Sequence, residues 1–263
     1  RMPSVLTGAN LANRDLIYIG VSGDGDSASI GLGQFAHCVR RGLNMTYICE
    51  NNGVYGLTKG QFSATADKGS RSKSGGSNMD SPLDLVSMAL MVGAGFVGRS
   101  FSGDKDQLVP LIMAAISYPG PAFIDIVSPC VAFNNHAGST KSYDFVRAHN
   151  EAVNRLDIIE PREAITVEYA PGTREEVALH DGSTLRLAKL SADYDPHDRI
   201  GAMTYLQSRA AAGDLVTGLV YMDREAKDMH ANLNTTLEPL NGLCEKQLCP
   251  GSAGLTAFNA AHR

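Results

Sequence analysis

Residues 23–61 read GDGDSASIGLGQFAHCVRRGLNMTYICENNGVYGLTKGQ. The stretch follows a short apolar run at 16–21 (LIYIGV) and contains a second at 45–49 (MTYIC). Runs this short and apolar are expected of strands buried on both faces. Between them, 27–41 has the length of a helix, with Gly42 placed to end it. Strand, crossover helix, strand in this order predicts a parallel pair. Two loops, Gly23-Asp24-Gly25-Asp26 and Asn51-Asn52-Gly53-Val54-Tyr55-Gly56, then leave the carboxyl ends of their strands. Open α/β sheets bind ligands there.

The first loop suits a diphosphate. Gly23 and Gly25 allow close backbone approach, and the helix that follows offers free N–H groups and a partial positive charge. Asp24 is repulsive to phosphate unless a divalent cation lies between them. Mg²⁺ commonly combines one or two carboxylates with phosphate oxygens, and Asn52 and the carbonyl of Val54 could complete its ligands. A lone GDG or a lone Asn-Asn-Gly is an ordinary surface turn. Both together, each after a buried strand, favour phosphate with metal, with two plain turns as the alternative.

Outward from this unit the rhythm continues. A helix is expected from Asp80 or Ser81, with Pro82 in its first turn and Leu83, Val86 and Leu90 on one face. A strand at 96–99, a helix at 104–118 and a strand at 122–127 follow, so residues 1–150 are expected to form an α/β domain. Its sheet should be mostly parallel, with helices on both faces. Gly and Ser dominate 68–78 (KGSRSKSGGSN), read as a mobile loop whose composition permits a lid. After 150 the texture changes. Ile165, Val167 and Tyr169 alternate with polar residues, Pro171-Gly172 turns the chain, and Val177 and Leu179 face Leu185 and Leu187 across Asp181-Gly182. Residues 151–263 are therefore expected as an extension with antiparallel hairpins, a helical pattern at 200–212 and an apolar run at 215–221.

The 263 residues are 43% hydrophobic with 27 glycines, which fits a folded, loop-rich protein. A net charge of −5 gives no pull toward nucleic acid or anionic lipid. No apolar run approaches the roughly 20 residues that span a bilayer. Five cysteines are too few and too odd for a disulfide framework, which points to a reducing, cytoplasmic setting.

The string 23–61 resembles the β subunit of the 2-oxoacid:ferredoxin oxidoreductases, the 2-oxoglutarate branch in particular. GDG followed one crossover later by NN is the signature of thiamine diphosphate enzymes. SPCVAFNNHAGSTKSY at 128–143 and LCPGSAGL at 248–255 extend the likeness along most of the chain. The resemblance implies a thiamine diphosphate-binding fold and CoA-dependent oxidative decarboxylation of a 2-oxoacid to acyl-CoA and CO₂, with electrons passed to ferredoxin. It implies that Asp24, Asn52 and the Val54 carbonyl hold Mg²⁺, and that Gly23, Gly25, Asp26, Tyr55 and Gly56 line the cofactor. Leu57 and Thr58 would lie on the substrate side; Lys59, just after that turn, is placed to meet the distal carboxylate of a dicarboxylic acid, with a solvated loop lysine as the alternative. An α subunit would supply the activating glutamate, in a heterodimer or dimer of heterodimers.

The family also carries a [4Fe–4S] cluster on four cysteines, of which only Cys130 has a counterpart here. Because Arg1 opens the chain and 1–5 resembles an interior family segment, the cluster-binding region is expected to precede it; Met2 as the natural start is the alternative. Cys38 and Cys49 read as packed thiols, while Cys244 and Cys249 fit no common zinc spacing. His136 is a turn histidine or a catalytic one. A non-catalytic assembly subunit, another thiamine-dependent decarboxylase and a general nucleotide-binding module are the competing functions.

Overall fold

The computed structural model describes residues 1–72, 75–154, 156, 194–249 and 251–262, together with the backbone of 174–178 and 184–188. The chain begins with α1 (Met2–Ala12), then β1 (Ile19–Gly23), a π-helical turn (Gly25–Ile30), α2 (Leu32–Arg40) and β2 (Met45–Asn51). Two short strands, β3 (Val54–Tyr55) and β4 (Gln61–Phe62), form a hairpin of their own. Then come α3 (Leu85–Met91), β5 (Phe96–Phe101), α4 (Lys105–Ser117), β6 (Pro121–Val127), α5 (Tyr143–His149) and β7 (Asn150–Ala152). The described remainder holds β8 (Arg174–Ala178), β9 (Thr184–Ala188), α6 (Arg199–Ala212), β10 (Leu215–Met222) and the terminal helices α7 (Met229–Leu233), α8 (Glu245–Leu248) and α9 (Gly251–Ala261).

The main sheet runs β1-β2-β6-β5-β10-β7. β1, β2, β6 and β5 are mutually parallel, as expected of the alternating pattern. α2, α3 and α6 cover one face, and the second apolar cluster, built around α4, covers the other. Phe35 of α2 meets Tyr47 of β2 and Phe123 of β6 at ring-centroid distances of 5.3 and 5.0 Å. A fully buried side chain of that size contributes about 1.5–3 kcal/mol.

The structure departs from the sequence reading at several points, each with a local cause. β2, β5 and β6 are buried on both faces, but β1 is an edge strand whose Ile19 and Val21 are 45% and 55% exposed. The first crossover helix is not continuous. Gly31 N donates to Asp26 O at 2.7 Å, and a Cβ on Gly31 would stand 2.5 Å from that oxygen, so the π turn depends on glycine here. α3 starts at Leu85 because Asp84, not Asp80 or Ser81, is its cap, accepting from the N–H groups of Val86 and Ser87. The Gly/Ser-rich segment 68–78 is folded back on itself where described. Gly69 N donates to Asn78 O and Asn78 N to Ser70 O, while Asn78 Nδ2 donates to the Ala66 carbonyl at 3.0 Å.

The apolar run at 215–221 is no part of an appendage. It is β10, antiparallel to β5 and parallel to β7, and α6 packs its Ala202 and Leu206 into the same core as α3. β8 and β9 do pair antiparallel, Ala178 opposite Thr184, as the expected hairpin requires. The Asp181-Gly182 turn, Leu179, Ile165, Val167, Tyr169 and Pro171-Gly172 lie outside the described residues. No helix among the described residues is long and apolar enough to cross a membrane.

Candidate functional site

Parallel register sets the site. Gly23 ends β1 opposite Glu50 of β2, so Asp24 emerges level with the asparagine pair that ends β2. Asp24 is 1% exposed. Its Oδ1 accepts from Asn52 N at 3.3 Å, and its Oδ2 accepts from Gly53 N at 3.0 Å, Thr65 Oγ1 at 2.5 Å and Ser63 Oγ. Oδ2 is thus fully engaged, and Oδ1 keeps a lone pair. Asn52 Oδ1 accepts from Val54 N at 3.0 Å. Ser63 N donates to the Gly53 carbonyl, so Val54 occupies a non-hydrogen-bonded position of the β3–β4 ladder and its carbonyl turns away from β4.

Glycine matters at two positions. Gly53 has φ +76°, and a Cβ there would stand 2.7 Å from Asn134 Nδ2. Gly25 lies beneath the Tyr55 ring, which a Cβ would meet at 2.4 Å, and Tyr55 OH donates to Gly25 O at 2.9 Å. The space that a side chain would take at Gly25 is thus filled by Tyr55. A Cβ on Gly23 would meet nothing within 4 Å, so open space lies over that backbone.

Segment 128–143 closes over the second loop. Asn134 Nδ2 donates to Asn52 O at 2.8 Å, Phe133 packs against Gly60, and Cys130 Sγ lies 3.7 Å from where a Gly56 Cβ would stand. The strings 23–61 and 128–143, distant in sequence, thus meet. Leu57, Thr58 and Lys59 form an exposed tip, in which Thr58 Oγ1 donates to Gln61 Oε1 at 2.6 Å and Lys59 is left-handed with φ +79°. An open cleft of about 680 Å³ lies between 68–72 and 131–138, lined by Lys68, Arg71 and His136 among others. His136 is exposed, with Nδ1 3.0 Å from the Ala137 carbonyl.

Beneath the site Thr65 Oγ1 lies 2.9 Å from Asn51 Oδ1, Asn51 Nδ2 donates to Asp125 Oδ1 at 3.0 Å, and Arg99 Nε donates to Asp125 Oδ2 at 2.9 Å. Arg99 Nη2 also pairs with Asp84. A cavity of about 310 Å³ adjoins this row, lined by Thr65, Arg99, Asp125 and Lys141 among others. Burial opposes ionisation of Asp84, yet Arg99 beside it holds its carboxyl below the ordinary value. For the more enclosed Asp125, burial outweighs Arg99 and the carboxyl is raised. Burial also pushes the Cys38 thiol up to about 11 and raises that of Cys49, so both are packed thiols.

Ser63, Thr65 and Asn134 escaped sequence reading. The hydroxyl-x-hydroxyl spacing of Ser63 and Thr65 after the Gly60 turn was the available signal; Asn134 had none beyond its string.

Residues 1–126, a little under half of the chain, match the family described as thiamine pyrophosphate enzyme, C-terminal TPP binding domain. More particularly, about half of the chain is similar to β subunits of 2-oxoacid:ferredoxin oxidoreductases. It is 41% identical over 136 residues to the 2-oxoglutarate oxidoreductase subunit KorB of Mycobacterium tuberculosis, covering 51% of this chain and 36% of that protein. It is 41% identical over 130 residues to a 2-oxoacid:ferredoxin oxidoreductase subunit beta of Sulfolobus, covering 49% of this chain and 43% of that protein. The chain thus spans less than half the length of these curated relatives. Among solved structures it resembles a 2-oxoglutarate:ferredoxin oxidoreductase from Magnetococcus marinus with 2-oxoglutarate, coenzyme A and succinyl-CoA bound. The TM-score is 0.69 and the identity 28%, over 94% of this chain and 70% of that one.

Proposed function

We propose that the chain serves as the β subunit of a 2-oxoglutarate-type 2-oxoacid:ferredoxin oxidoreductase, binding thiamine diphosphate through Mg²⁺ and acting with an α subunit. The carrying observation is the meeting of a buried Asp24 with the Asn52–Gly53 turn at the carboxyl ends of two parallel strands. The free lone pair on Asp24 Oδ1, the second lone pair on Asn52 Oδ1 and the outward Val54 carbonyl make an all-oxygen donor set that suits Mg²⁺. Open space over Gly23 leaves room for diphosphate at the N–H groups of Gly25 and Asp26, with Tyr55 and Gly56 flanking it.

Bound there, thiamine diphosphate supplies the electron sink for decarboxylation of the 2-oxoacid. The chain's own part is placement: Asp24 and the asparagine turn hold the diphosphate end while the 57–59 tip faces the substrate. The α subunit provides the activating glutamate, in a heterodimer or dimer of heterodimers. CoA accepts the acyl group, and ferredoxin receives the electrons. A cytoplasmic setting suits the free cysteines found among the described residues. A [4Fe–4S] cluster takes four ligands in most cases. Cys130, the described cysteine at this site, could supply one of them.

The cofactor assignment is tested by thermal unfolding of the purified complex. Thiamine diphosphate with Mg²⁺ is expected to raise the midpoint, and ATP with Mg²⁺ to leave it unchanged; the reverse result would make the chain a nucleotide-binding module. Substrate choice is tested at Lys59. A charge-assisted hydrogen bond contributes about 1.5–3 kcal/mol, so Lys59→Ala should lower kcat/KM for 2-oxoglutarate roughly 10- to 150-fold while sparing pyruvate. Alanine retains the left-handed backbone cost, so the comparison isolates the ammonium. Equal losses on both acids would remove Lys59 from substrate recognition.

A further inference from the structure

Behind the Asp24–Asn52 contact stands a row of buried polar side chains to which the proposed function gives no role. Ser63, Thr65, Asn51, Asp125 and Arg99 are all under 10% exposed. Polar groups so enclosed are costly unless satisfied; the single Thr65 hydroxyl proton goes to Asp24 Oδ2 at 2.5 Å rather than to Asn51 Oδ1 at 2.9 Å, while Asn51 and Arg99 both donate to Asp125. The contacts on Asp24 are unequal. Two hydroxyls and the Gly53 N–H load Oδ2, whereas Oδ1 has only the Asn52 N–H at 3.3 Å. Two side-chain donors converging on one oxygen stop the carboxylate from rotating and leave the other oxygen for a cation.

A second buried polar group lies deeper in the sheet, next to this clamp. Asp125 and Arg99 form a buried ion pair. An ionised carboxylate accepts only, so it draws the amide nitrogen of Asn51 and directs the amide oxygen toward Thr65. The two adjacent asparagines therefore divide the work: Asn52 faces the ligand side, and Asn51 faces the core.

We propose that Ser63 and Thr65 are positioning residues of the cation site, fixing Asp24 so that Oδ1 is presented to the metal. This rests on the cofactor assignment made above. Hydrogen bonds behind a metal-binding carboxylate typically change metal affinity about 10- to 100-fold.

The test is a titration of Mn²⁺, in place of Mg²⁺, into the assembled complex with thiamine diphosphate present, following free Mn²⁺ by electron paramagnetic resonance. Thr65→Val keeps the shape and removes the hydroxyl, and is expected to weaken Mn²⁺ binding about 10- to 100-fold. Thr65→Ser should restore binding to within a few-fold of wild type, a rescue that mere packing would not produce. Ser63→Ala removes the second donor to the same oxygen and decides the matter if Thr65→Val does not fold. Wild-type affinity in both Thr65→Val and Ser63→Ala would overturn the positioning role while leaving the cofactor assignment intact. Failure of the wild-type complex itself to take up Mn²⁺ with the cofactor would overturn both.

Discussion

Asp24→Asn is expected to abolish Mg²⁺-dependent binding of thiamine diphosphate and, with it, turnover of the assembled enzyme. The side chain has two tasks at once. In the proposed site its charge would offset the diphosphate through the cation, and its oxygens accept from four donors of the surrounding loops. Asparagine can satisfy only one of these oxygens' roles, because its nitrogen must face either the donors or the metal. Loss of two charge-assisted contacts at about 1.5–3 kcal/mol each corresponds to roughly 10²- to 10⁴-fold in affinity. Calorimetric titration of the cofactor with Mg²⁺ measures this directly, with circular dichroism to verify the fold. Binding within tenfold of wild type would mean that Asp24 is a structural turn residue. Asp24→Ala is the poorer variant, since buried donors left without an acceptor cost about 1–3 kcal/mol each and fold and site would fail together.

The second large effect is on stability. Arg99→Leu leaves Asp125, 1% exposed, and Asp84 without their common cation. Breaking a buried ion pair from one side typically costs about 3–5 kcal/mol. For a chain of this size that lowers the unfolding midpoint by roughly 6–20 °C. The pH dependence follows from the carboxyl shifts. Burial already raises Asp125, and without Arg99 only the Asn51 hydrogen bond opposes it. A raised carboxyl destabilises above the unfolded value of about 3.9 and does so progressively less as pH falls toward it. The deficit of Arg99→Leu should therefore be largest at neutral pH and shrink in acid. In the wild type, Asp84 is lowered, so the stability it contributes is present at neutral pH and is lost only as pH falls through its folded value. Urea unfolding at neutral and acidic pH separates these cases; a deficit below about 1 kcal/mol at neutral pH would show that Asp125 accepts burial without Arg99.

The parts of the site that sequence shows are those tied to local backbone. Glycine next to a strand end, an aspartate between two glycines and a doubled asparagine before glycine each have few conformational choices. The loop pair 23–26 and 51–56 is therefore legible in the residues themselves. The strands at 45–49, 96–99 and 122–127 are legible for a related reason: apolar residues in short runs have one economical use in an α/β chain. Where position in the sheet decides, the pattern fails. The run at 16–21 has the same texture as 45–49, yet β1 is an edge strand with an open face and β2 a central one. The run at 215–221 carries no sign that it crosses back to pair with β5.

The chain's local chemistry determined which residues would form strands, which loops carried the phosphate-and-metal pattern, and which carboxylate stood at its centre. Only tertiary structure decided that Ser63 and Thr65 share one oxygen of Asp24 and that Asn51 turns inward to Asp125. It also brought Cys130 over Gly56. The physical reason is range. Backbone preference and hydrophobic periodicity act over a few residues, whereas a buried polar group finds its partner wherever the packed sheet and loops bring one.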